Sequence, residues 1–101
     1  MAKTAQKEAS KRRVSVLYAG IELSGGSWRF AFRDGRTDRT SESSVPAKKL
    51  DRMLEMFERA KRKLDLPPKA VIRTCYEAGR DGFWLHRWLT GKGIENLVLD
   101  A

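Results

Sequence analysis

One stretch constrains the fold of this chain more than any other, the run from Val71 to Leu89. Val71-Ile72-Arg73-Thr74-Cys75-Tyr76 is apolar and β-branched, ends on Glu77, passes through a turn with Gly79 and Gly82, and enters a segment with Trp84 and Trp88 four residues apart. The pattern predicts a strand, an acidic tip and a helix, which is where α/β proteins place ligands. A carboxylate at the carboxyl end of a central strand packs poorly, and it is well placed for a metal or a proton.

The other elements are read relative to Glu77. Val14 to Leu23 is apolar on both faces, as a central strand would be, with Glu22 interrupting it near its end. Ser24-Gly25-Gly26-Ser27 predicts a tight turn into a second strand, Trp28 to Arg33, whose Trp28, Phe30 and Phe32 alternate with smaller or more polar residues. Asp34-Gly35 is a further turn signal, and the polar segment Arg36 to Val45 reads as an edge strand. Pro46 suits the first turn of a helix running to about Leu66, with Leu50, Leu54, Phe57 and Leu64 on one apolar stripe and Met53 and Ala60 beside it. Lys48, Lys49, Arg52, Glu55, Arg59, Arg62 and Lys63 occupy its other face, and Pro67-Pro68 ends it. After the Trp-bearing helix, Gly91-Lys92-Gly93 breaks the chain before a last strand, Ile94 to Asp100.

Three strands, a helix, a strand, a helix and a strand describe an antiparallel meander followed by strands linked through helices. This is the element order of the ribonuclease H-like fold, an α/β architecture with a mixed five-stranded sheet of order 3-2-1-4-5 and two helices, here truncated after the fifth strand. In that order the first and fourth strands are neighbours, so Glu22 and Glu77 approach at one end. Adjacent carboxylates repel unless a cation or a shared proton intervenes. Mg²⁺ takes oxygen ligands, keeps waters and accepts phosphate oxygens, and in a two-metal phosphodiester site it activates the attacking oxygen and stabilises the leaving one.

Charge points to the same class of partner. The chain has 101 residues, with 21 Lys and Arg against 13 Asp and Glu, a net charge of +8. Such a balance favours polyanions, nucleic acid first. Residues 1–13 hold Lys3, Lys7, Lys11, Arg12 and Arg13 against Glu8 alone, predicting a basic flexible tail ahead of a domain over residues 14–101. Cys75 is the only cysteine, which excludes an internal disulfide and a cysteine-based zinc site, and its apolar neighbours predict a buried, inert thiol. No apolar run is long enough to span a bilayer and no signal-peptide core follows the basic start, so the expectation is a cytoplasmic protein with no membrane partner.

The segment Cys75-Tyr76-Glu77-Ala78-Gly79-Arg80-Asp81-Gly82-Phe83-Trp84-Leu85-His86-Arg87-Trp88-Leu89, followed by Gly93-Ile94-Glu95-Asn96-Leu97-Val98-Leu99-Asp100, resembles the N-terminal domain of a bacterial insertion-sequence transposase family. That family carries a RuvC-like DEDD domain, a helical connector and a C-terminal domain with a nucleophilic serine. The resemblance covers residues 14–101. It implies DNA binding, DNA strand cleavage and exchange in transposition, and a Mg²⁺-dependent acidic site. It also implies action as an oligomer and, in some members, a structured guide RNA. Glu77 aligns with the family's glutamate, and Glu22 stands where many members have aspartate. The second acid pair, an Asp-x-x-Asp, does not occur in this chain, and neither does the serine domain. The fragment is therefore expected to be inert alone.

Other readings stand beside this one. Gly20 to Ser27 is similar to the phosphate-holding hairpin of sugar kinases and actin-like ATPases, which need a second lobe. A noncatalytic nucleic-acid-binding or regulatory module would use the tail residues Lys11, Arg12 and Arg13, the basic helix face and Arg80 to contact phosphate. Asp100 is a weaker candidate metal ligand. His86 reads as an ordinary helix residue, Trp84 and Trp88 as core, Asp81 as a helix cap, and Glu55 and Glu58 as partners of Arg52, Arg59 and Arg62.

Overall fold

The structure, a computed structural model, describes residues 15–77 and 83–99. The basic tail 1–13, with Lys11, Arg12 and Arg13, lies outside the described residues, as do the turn 78–82 with Arg80 and Asp81, and Asp100.

Five strands form one mixed sheet: β1 (Val16–Leu23), β2 (Ser27–Arg33), β3 (Thr40–Pro46), β4 (Val71–Glu77) and β5 (Glu95–Leu99). Their order is β3-β2-β1-β4-β5, with β1–β2 and β2–β3 antiparallel and β1–β4 and β4–β5 parallel. Helix α1 (Leu50–Lys63) links β3 to β4, and α2 (Trp84–Gly91) links β4 to β5. The expected α/β architecture and sheet order are both present.

Both helices pack on the same face of the sheet. Leu17, Ala19 and Ile21 of β1, Trp28, Phe30 and Phe32 of β2, and Tyr76 of β4 share one core with Met53 and Phe57 of α1 and Leu85 and Leu89 of α2. Phe57 meets Phe30 and Phe32 edge-on, at 5.8 and 6.0 Å between ring centres, and Trp84 lies 6.1 Å from Trp28. Trp84 and Trp88 are packed against this core, as expected. Each edge-to-face pair adds about 0.5–1.5 kcal/mol beyond its burial.

The other face differs from expectation. Tyr18, Gly20 and Glu22 of β1 are exposed, because the described helices cover only the side to which the odd-numbered residues of β1 point. The apolar run read as doubly covered is covered once. α1 also begins later than Pro46 suggests. Pro46 closes β3, the Ala47 N–H donates to Gly26 O at 3.2 Å, and Lys48 takes a left-handed φ of 65° before the helix starts at Leu50. At the other end Asp65, with φ 56°, stops the helix, and the Leu66 N–H donates to Lys61 O at 2.8 Å. The edge strand starts at Thr40 rather than Arg36 because Asp34 accepts the N–H groups of Arg36 and Thr37 and folds that segment into a turn.

Candidate functional site

The site is built from the ends of β1 and β4. Their parallel register pairs Gly20 with Cys75 and Ile21 with Tyr76, so one step further brings Glu22 beside Glu77. Neighbouring strands lie about 4.8 Å apart, and residues of the same parity point to the same side. Both glutamates are exposed, on the face that no described helix covers. The strand ends thus bring together the two acids singled out from sequence.

Two residues join them that sequence reasoning missed. Arg29 of β2 stands directly opposite Glu22 in the antiparallel register, and Glu42 of β3 stands opposite Ala31. Arg29, Glu42, Glu22 and Glu77 all line one open concavity of about 1510 Å³. The alternation of Trp28, Phe30 and Phe32 already implied that Arg29 faces away from the core. Its pairing with Glu22 depends on register, which the sequence does not print. Arg29 thus places a guanidinium, a good phosphate donor, at the same end of the sheet as the two glutamates.

Cys75 corrects an expectation. It is half-buried rather than buried, and it lines the same concavity, because it shares the parity of Glu77 on β4. The described residues contain no group of three or more His, Cys, Asp or Glu side chains that could hold a metal ion. Glu22 and Glu77 therefore offer two carboxylates rather than a closed coordination shell.

His86 lies on the covered side. Thr74 Oγ1 donates to Asn96 Oδ1 at 2.6 Å, and Asn96 Nδ2 sits 3.0 Å from His86 Nδ1, so the ring ties α2 to β4 and β5. It behaves as the ordinary helix residue expected. Glu58 pairs with Lys61 at 2.9 Å rather than with the arginines of α1. Lys61, buried, also donates to Pro68 O at 2.7 Å, which holds the chain after the helix. Among the described residues no helix is long and apolar enough to cross a membrane.

The chain is similar to a protein named "Putative transposase y4rJ" from Sinorhizobium fredii, at 33% identity over 93 residues that cover 86% of this chain. The chain spans 23% of the length of that relative. No family model matches. Among solved structures, the fold is similar to that of ethanolamine utilization protein EutJ from Carboxydothermus hydrogenoformans, with a TM-score of 0.50 and 13% identity over 83% of this chain and 36% of that one. At this identity the likeness concerns the fold alone.

Proposed function

We propose that the chain is the N-terminal, RuvC-like part of a DNA transposase or recombinase, with a ribonuclease H-like domain whose Glu22 and Glu77 supply half of a DEDD-type acidic site. The observation that carries this is the meeting of the two glutamates at the ends of adjacent parallel strands, in a chain similar to a transposase-named protein over most of its length.

The donor set fits Mg²⁺. Two carboxylates side by side on an open face suit an ion that binds one or two protein carboxylates and fills its other positions with water and substrate phosphate. When bound there, Mg²⁺ would activate the attacking oxygen and stabilise the leaving oxygen of a phosphodiester. Glu22 and Glu77 hold and orient, and Arg29 draws a phosphate to the same end of the sheet. The open face leaves room for a nucleic-acid strand. With two acids of four and no serine domain within these residues, the fragment is proposed to bind DNA without cleaving it alone. Strand exchange, oligomeric assembly and use of a guide RNA would belong to a longer protein.

A second reading, a noncatalytic nucleic-acid-binding or regulatory module, is favoured by the net charge of +8. The two separate in a calorimetric titration of the chain with Mn²⁺ or Mg²⁺, with and without a short branched DNA. The acidic-site reading expects saturable metal binding that is lost in both Glu22→Gln and Glu77→Gln. Metal-independent DNA binding, unchanged in those variants, would leave only the second reading.

A further inference from the structure

The charges of α1 are sorted along its length. Arg52, Arg59 and Lys63 recur at i, i+7 and i+11, which places them on one stripe about 16 Å long. All three are exposed, and none is in an ion pair among the described residues, since Glu58 is taken by Lys61. Arg52 and Arg59 form one wall of a groove of about 370 Å³, whose other wall is Ser43, Ser44, Val45 and Pro46 of β3. Met56 and Glu55 complete the lining, so one carboxylate faces two guanidinium groups.

β3 is the outermost strand on its side of the sheet. Its outer edge, paired with no other described strand, presents backbone N–H groups beside the Ser43 hydroxyl, which shares the helix-covered side with Ser41 and Val45. A strand edge rich in neutral donors therefore faces a helix flank rich in cations, with an apolar floor between them. Phosphate oxygens take hydrogen bonds from arginine, serine and backbone N–H groups.

We infer that the groove between β3 and α1 holds the phosphodiester backbone of one strand of nucleic acid, with Arg52 and Arg59 each contacting a phosphate. A single flexible strand laid along β3 meets donors from both walls, whereas a stiff duplex reaches only the rim. The inference rests on the nucleic-acid reading above, but not on the acidic site. It adds a contact surface on a different part of the sheet from Glu22 and Glu77.

The test is fluorescence anisotropy of the 101-residue chain with a short mixed-sequence single strand of DNA, repeated between about 50 and 200 mM salt. Single-strand affinity falls with log salt by about 0.7 per phosphate contact, so Arg52→Gln with Arg59→Gln should reduce the slope by about 1.4 and weaken binding about 25-fold near 0.1 M salt. The control, Lys69→Gln with Arg87→Gln, removes equal charge from exposed positions elsewhere and should leave most of the slope. In the unmodified protein, bound DNA should shield Arg52 and Arg59 from an arginine-modifying reagent, read by mass spectrometry, whatever the variant's stability. Equal slope loss in the control, no loss in the groove variant, absence of shielding, or loss seen only with a duplex would each overturn the assignment. If the wild-type chain binds no DNA at any salt, the nucleic-acid reading falls with it; if it binds and the groove variant is unaffected, only the groove falls.

Discussion

Asp34 sits just after β2 and is buried, accepting N–H bonds from Arg36 at 3.0 Å and Thr37 at 2.9 Å. The Thr37 backbone N–H is the main reason its carboxyl titrates below the ordinary range, with the Arg36 N–H and the Thr37 hydroxyl adding to it against the opposing effect of burial. A depressed folded-state value contributes stability above the unfolded carboxylate range and loses it as pH falls through the folded one. Urea unfolding between about pH 6 and about pH 3 should therefore show a shallower acid loss in Asp34→Asn than in the wild type. Gly35, next to it, has a φ of +76°, and a Cβ there would come within 2.6 Å of Tyr18 Cε2. Gly35→Ala should cost about 1–2 kcal/mol, read from the urea midpoint. Glu22 and Glu77 were legible because each interrupts or ends an apolar run. Arg29 and Glu42 were not, because only the strand register carries them to the same face. Arg29→Gln removes the cation opposite Glu22 and should tighten Mn²⁺ binding by about 1 kcal/mol, roughly fivefold, in calorimetry.

At the scale of elements, α1 is held by what it buries rather than by its caps. Lys49 at its start makes no side-chain cap, while Met53, Phe57 and Ala60 are all buried against the sheet. Phe57 is fully buried between the rings of Phe30 and Phe32. Phe57→Ala should destabilise the fold by about 3–5 kcal/mol, measured by urea or thermal unfolding, which for a domain this small approaches its whole stability. The period of the helix was readable from Leu50 to Leu64, since the apolar positions repeat as a helix needs. Its start was not, because Pro46 is equally acceptable at a strand end, and the Ala47–Gly26 hydrogen bond that decides the matter is long-range. β3 shows the same limit: polar spacing identified the edge strand, and the turn at Asp34 moved its beginning.

For the whole molecule, element order and connection length led from the sequence to a sheet of order β3-β2-β1-β4-β5, since a meander followed by helix-linked parallel strands leaves few alternatives. What the sequence hid is that β1 is covered on one side only by the described elements, although its run of residues reads as apolar throughout. That open side gives the two glutamates their shared exposure, and it is where the account is most directly tested. The measurement is a titration of ¹⁵N-labelled protein with Mn²⁺, following paramagnetic broadening of backbone amides. Signals around Glu22 and Glu77 at the ends of β1 and β4 should be lost early, with Arg36, Thr37 and Lys63 unaffected, and should recover in Glu77→Gln. Broadening centred instead on Glu55 and Glu58 of α1, or broadening at the strand ends that persists in both Glu22→Gln and Glu77→Gln, would contradict it.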